Sequence, residues 1–201
     1  MITKEELIIR IRNACDAVIG AEAELTEIDS RFGDADHGFT MTKIASTIRD
    51  SLADADSIQE MLDNAACAVM GLNGGSAVPL WNTWLDGLQE HSVAENTMTV
   101  DQVKAMFQGA YEELFDMSTA KVGDKTMMDA LIPATEAIQA WEGDMDGLFE
   151  AAAKAAEEGA ENSKNFVSRF GRAKSYGKQT IGTPDAGAVS MKYFFVGLAK
   201  K

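Results

Sequence analysis

Seven apolar residues, Leu7, Ile11, Ala14, Val18, Ala21, Leu25 and Ile28, recur at alternating spacings of four and three. On a helix this spacing draws one stripe along one face. It predicts a first helix of about six turns, opened by the capping box that Thr3 and Glu6 can form. Such a seam suits a coiled coil or a bundle. It stops at an aspartate-rich break and further stripes follow, so a bundle is the better reading. A second helix should start near His37 or Gly38 with Met41, Ile44, Ile48 and Leu52 inward. Ser57 with Glu60 opens a third, ending near Gly71, and Leu80, Trp81, Trp84, Leu85 and Leu88 mark a fourth. Thr99 with Gln102 caps a fifth. A sixth runs from about Thr126 to Trp141, an alanine-rich seventh covers "LFEAAAKAAEEGAENSKNF", and an eighth carries Val189, Tyr193, Phe194 and Val196.

No stretch alternates apolar and polar residues for long enough to make a convincing strand. Hydrophobic residues make up 46% of the 201, enough to bury a sizeable core. The expected architecture is all-α: an eight-helix antiparallel up-and-down bundle or barrel, with residues 1–201 as a single domain. The longer, glycine-rich connections follow helices one, three, five and seven. In an up-and-down bundle alternate connections lie at one end. The breaks "DSRFGDADHG", "GLNGGSAVP", "STAKVGDKT" and "SRFGRAKSYGKQTIGTPDAG" should therefore converge on one face.

That convergence turns separate weak motifs into one candidate site. Asp29, Asp34 and Asp36 crowd three carboxylates around Gly33. Hard oxygen ligands suit Mg²⁺ or Ca²⁺; ordinary turn and cap chemistry accounts for them equally well. The order is not that of an EF-hand. In "NGGSAVP" successive glycines lead into a helix, where backbone N–H groups can meet a phosphate. A plain inter-helix turn is the better reading of that loop alone, and no GK[ST] follows. In "GDKTMMDAL" Asp124 could cap the sixth helix and Lys125 could reach an anion. The last break places Arg172, Lys174 and Lys178 in an acidic chain, and long breaks of this kind are often functional. His37 either touches a ligand or serves a helix start; His91 reads as a surface residue, and Trp81 and Trp84 as core.

The formal net charge of −14 argues against unaided nucleic-acid binding, which needs Lys and Arg to replace counterions, and against an anionic membrane surface. A polyphosphate ligand would need metal cations from solution. Cys15 and Cys67 form no CxxC or Cys/His cluster, so neither zinc nor a disulfide framework is indicated. The N-terminal run mixes charges into its apolar residues, unlike a signal peptide, and no apolar run is long enough to span a membrane. A cytoplasmic protein is expected.

Taken together, "EIDSRFGDADHGFTM", "GGSAVPLW", "GDKTMMDALIPA" and "GRAKSYGKQTIGTPDAGA" resemble the nucleotide-binding L subunit, or Dak2-type domain, of dihydroxyacetone kinases, in the family's order and over essentially the whole chain. The resemblance implies an eight-helix up-and-down barrel with ADP or ATP and two Mg²⁺ ions at one end. It implies that Asp29, Asp34 and Asp36 hold the metals and that His37, Gly38, Phe39 and Thr40 lie beneath the nucleotide. It sets Ser76 and Ala77 by the phosphates, Met127 on the base side, and Arg172, Asp185, Ala186 and Gly187 on the last loop. It further implies phosphoryl transfer to dihydroxyacetone or a similar ketose held on a K subunit. The phosphate would come from a phosphohistidine M subunit fed by phosphoenolpyruvate, or directly from ATP in another branch of the family. A third alternative is a non-catalytic regulator that binds a transcription factor; loss of the aspartates would favour it, and all three remain.

Overall fold

The structure is a computed structural model that describes residues 1–201. Nine α-helices carry the fold: α1 (Lys4–Gly20), α2 (Glu22–Ser30), α3 (His37–Ser51), α4 (Ile58–Met70), α5 (Ala77–Glu90), α6 (Val100–Ser118), α7 (Met128–Ala140), α8 (Met145–Asn162) and α9 (Ala186–Leu198). The expected first helix is present as α1 and α2, which form one stave broken at Ala21, where φ is −94° and ψ is 4°. The break sits directly after Gly20, a poor helix former. The apolar stripe continues across it, since Ala21 and Leu25 are both buried. The bend lets α2 lie against both α3 and α9.

With that pair counted as one stave, eight staves form a closed ring. Each packs on its sequence neighbours, and α9 returns to pack on α1. The fold is all-α. The one departure is a two-residue antiparallel pairing of β1 (Ile2–Thr3) with β2 (Thr97–Met98), too short to be seen as a period-two pattern. The capping boxes at Thr3 and Thr99 are both formed. Ser57 also caps α4, but Glu60 bonds back to the amide of Asp56 rather than to that of Ser57.

The inward stripes fill the ring. Trp81, Trp84, Phe107, Phe194 and Phe195 meet at its centre, with the Trp84 and Phe194 rings edge to face at 5.4 Å. Such pairs add packing energy beyond the area they bury. Within the core lies a cavity of about 20 Å³ with a wholly apolar lining that includes Leu7, Ile48, Leu85 and Met106. The axis is therefore a packed core and not a channel.

Connections alternate between the two ends of the ring. The short ones, 52–57, 91–99 and 141–144, lie at the end that also holds β1 and β2. There Lys4 N–H donates to Asn96 O at 2.8 Å and Ile58 N–H to Glu95 O at 3.0 Å. Arg10, buried in α1, braces the same end. It donates to Leu198 O at 3.1 Å, pairs with Asp146 of α8, and lies 4.8 Å over the Phe149 ring. The four long connections form the opposite mouth. Both cysteines are free, Cys15 buried and Cys67 exposed, and no helix is long and apolar enough to cross a membrane.

Candidate functional site

The first mouth loop follows α2. Gly33 N–H donates to Asp29 O at 2.6 Å, which curls the chain back over the Asp29 side chain. Only glycine fits there: a Cβ on Gly33 would stand 2.0 Å from Asp29 Oδ1. Ala35 then takes a left-handed backbone with φ 62°, which turns the loop into α3. Asp29 Oδ2 accepts from Asp36 N–H at 3.1 Å and His37 N–H at 3.4 Å. One aspartate thus organises the loop and meets the start of α3, whose Asp36 makes no side-chain cap.

This geometry gathers the three carboxylates. One oxygen each from Asp29, Asp34 and Asp36 lies within 4.8 Å of the others. Burial, then the charges of Asp34 and Asp29, raise the pKa of Asp36, as expected for crowded like charges. Asp34 and Asp36 are exposed and Asp29 half-buried, so the cluster is open to solvent. Three accessible hard oxygens with this mutual repulsion fit a Mg²⁺ ion that completes its shell with water or phosphate. A second group of potential metal ligands, Glu90, His91 and Glu113, lies away from the mouth. There His91 Nε2 meets Glu113 Oε1 at 2.9 Å, an exposed pair.

The last loop reaches the same place. Its Arg172 pairs with Asp34 at 2.7 Å, and Tyr176 packs at a tilt against Phe32 with ring centroids 5.2 Å apart. The segment between α8 and α9 is not irregular throughout, because Arg172–Thr180 forms 3-10 turns broken at Gly177. His37 Nε2 lies 3.3 Å from Ser190 Oγ on α9. Burial lowers the pKa of His37, opposed by the charge of Asp29 and a backbone contact from Ala186. Met127 is buried at the start of α7 and lies close against Gly187. Asp185 caps α9 by accepting from Ala188 N–H at 2.8 Å.

The GGS loop stands across the mouth. Lys43 Nζ donates to Asn73 O at 3.0 Å, and Gly74 lies over Thr40 and Val78. Ser76 is exposed, Ala77 half-buried, and α5 begins with no side-chain cap. Phe39 is exposed on the mouth side of α3, whereas Thr40 is buried. Gly38 is buried too, and α3 meets α2 so closely there that a Cβ would stand 2.2 Å from Glu22 O.

Two expectations for the GDKT loop are corrected. Asp124 does not cap α7, which follows Met127 at the cap position with no side-chain cap. The fully buried Asp129, in its first turn, reaches back to accept from Gly123 N–H and Thr126 N–H of the loop, each at 2.6 Å. Asp124 instead accepts from Lys121 N–H at 2.9 Å and pairs with Arg169 at 3.3 Å. Lys125 does not face the open mouth; it is buried beneath the last loop. Sequence reasoning also missed Ser190, whose partnership with His37 had no local signal.

The family model described as the DAK2 domain matches residues 31–200. The chain is 31% identical to the PEP-dependent dihydroxyacetone kinase, ADP-binding subunit DhaL, of Escherichia coli (strain K12), over 92% of this chain and 91% of that one. It is 33% identical to D-erythrulose kinase of Mycolicibacterium smegmatis over 88% of its own length, but spans only 32% of that enzyme. The dihydroxyacetone kinase from C. freundii, solved with AMP-PNP and Mg²⁺, shares the fold with a TM-score of 0.71 at 20% identity. That likeness covers 96% of this chain and 33% of the kinase. With a match that runs through three of the four mouth loops and most of the first, the chain belongs to the DAK2 domain family.

Proposed function

We propose that this chain binds ADP or ATP with two Mg²⁺ ions at the mouth of the ring and relays a phosphoryl group to dihydroxyacetone or a similar small ketose. The observation that carries this reading is the Asp29, Asp34 and Asp36 cluster, set at the convergence of four loops in a chain of net charge −14. A polyphosphate approaching such a surface needs divalent cations between the two sets of negative charge. When bound, Mg²⁺ neutralises phosphate charge and aligns the group for in-line displacement.

The chain's own residues divide the remaining work. Asp29 keeps the loop folded while offering one carboxylate oxygen. Asp34 and Asp36 offer oxygens from the solvent side. Arg172 is the cation nearest the cluster and can exchange Asp34 for a phosphate oxygen, since both are acceptors it can reach. The starts of α3 and α5 present backbone N–H groups and the positive ends of two helix dipoles. His37, held by Ser190, orients the start of α3. The ketose itself belongs on a K subunit. A phosphohistidine M subunit is the preferred phosphate donor, because the chain matches nearly the full length of a separate ADP-binding subunit. Direct use of ATP is the second reading, favoured by the match to D-erythrulose kinase.

The test is to denature the purified protein and assay the supernatant for nucleotide, then to titrate Mg·ADP into stripped protein with and without a chelator. Binding that disappears with the chelator is expected, together with no ketose phosphorylation by the chain alone. ADP that survives dialysis favours the M-subunit route. Failure of Mg·ADP to bind at all refutes the proposal.

A further inference from the structure

Lys125 has a left-handed backbone with φ 62° and is 4% exposed. Its ammonium donates to four backbone carbonyls: Ser163 O at 2.9 Å, Phe166 O at 3.2 Å, Thr180 O at 2.8 Å and Thr183 O at 2.6 Å. An ammonium has only three N–H bonds, so four acceptors surround one centre and one bond is shared. Two of these carbonyls lie at the start of the segment between α8 and α9 and two near its end. The loop therefore leaves and re-enters the fold through a single ring of oxygens closed on one positive charge. Neighbouring bonds tie the same neck: Gly182 N–H to Lys164 O at 2.7 Å and Ser168 N–H to Thr180 Oγ1 at 3.1 Å. Beyond the neck the loop presents Arg172 to Asp34 and Tyr176 to Phe32.

We infer that Lys125 is a positioning residue, a clasp whose ammonium closes the neck of residues 163–183 and so holds Arg172 beside the aspartate cluster for nucleotide binding. The role rests on the proposed Mg·nucleotide reading of the mouth. Lys125 touches neither the cluster nor Arg172; it acts through the loop. Four carbonyl oxygens at these distances are also the donor set that replaces the hydration shell of a monovalent cation. The neck is in effect a potassium-like or ammonium-like site filled by the protein's own side chain. Asp129 and Asp185 lie near enough for their charges to act on Lys125, so a free cation there would find compensating charge. The left-handed backbone makes Lys125→Gly the informative variant, because glycine adopts that φ without strain and the change removes only the side chain.

Hydrogen exchange and calorimetric titration of Mg·ADP, on wild type and Lys125→Gly, test the inference in sodium, potassium, ammonium and tetramethylammonium chloride. In sodium, amides of residues 164–183 in the variant should exchange faster while α1 to α9 keep their protection. Mg·ADP should bind about 10- to 100-fold more weakly, the usual cost of losing a group that orients a ligand shell. Potassium or ammonium should recover much of that loss, tetramethylammonium should not, and wild type should be indifferent. Unchanged affinity, unchanged loop exchange, or loss of protection throughout the helices would each overturn the clasp, as would no recovery in either potassium or ammonium. Wild type that fails to bind Mg·ADP would instead refute the nucleotide reading, and the clasp would then stand or fall on loop exchange alone.

Discussion

Asp34→Asn separates the metal role of the cluster from its part in the fold. Asp34 gives its charge to one partner, Arg172, at 2.7 Å, and those side chains are 37% and 70% exposed. An exposed pair of this kind contributes about 0–1 kcal/mol. Removing the charge also relieves repulsion from Asp29 and Asp36, which acts in the opposite direction. The ligand-free melting temperature should therefore move by no more than about 2 °C in a chain of this size. The response to ligand should differ far more. At a hundred times its dissociation constant, Mg·ADP stabilises the wild type by about 2.7 kcal/mol, or about 5–10 °C. The variant should gain almost nothing at the same concentration. Asp29→Ala makes the contrast, since Asp29 also accepts from two backbone amides, and its loss should cost about 1 kcal/mol without ligand. Scanning calorimetry of wild type, Asp34→Asn and Asp29→Ala, with Mg·ADP, with ADP and chelator, and without either, reads every term. An Asp34→Asn protein that shifts as far as wild type in Mg·ADP would refute the metal bridge and reduce the loop to a turn.

At the other end of the ring, Arg10→Met should remove the bonds to Leu198 and Ala199 and the pairing with Asp146. Asp146 keeps Lys201 as a partner, so the loss should be about 2 kcal/mol, with Mg·ADP affinity unchanged; weakened binding would show that the two ends are coupled. Burial pushes the pKa of Asp185 from 3.8 up to about 7, so between those values the folded chain holds a proton that the unfolded chain has released. Its contribution to stability must then fall as pH rises through that interval. Asp185→Asn keeps the cap of α9 and should flatten the slope relative to wild type. The comparison cancels His37 and Asp36, which titrate in both proteins, and urea melts with the same pH dependence in both would contradict the assignment.

The helices were legible because each carries its own stripe, and three starts were marked by Thr3, Ser57 and Thr99. The mouth was legible too, because parity of connections is a property of the chain and needs no coordinates. What stayed hidden depends on partners far away in sequence. The break at Ala21 serves contacts of α2 with α3 and α9, while the stripe runs through it unchanged. Asp124 reads as the cap in "GDKTMMD", but the helix starts without a side-chain cap, and the buried Asp129 folds the loop ahead of it instead. Lys125 reads as a free cation until the loop 38 residues and more downstream folds over it. Asp29, Asp34 and Asp36 were singled out because glycine and repeated carboxylates are local signals; the bond between His37 and Ser190 is not.

A ring in which every stave is antiparallel to the next has no intrinsic first member. The chain described here opens between α1 and α9, on the face away from the mouth, where Thr3 and Leu198 lie at the starting edge of one stave and the finishing edge of its neighbour. The connections 52–57, 91–99 and 141–144 occupy equivalent positions on that face. Joining the two ends of this sequence and cutting 52–57 or 141–144 should give a circularly permuted chain with the same ring and the same mouth, whereas 91–99 is tied down by β2 and its bonds to Lys4 and Ile58. Cutting a mouth loop would sever the carboxylate cluster, the start of α5 or the neck around Lys125. The molecule is thus directional in its tolerance of rearrangement: one rim can be re-plumbed, and the other cannot.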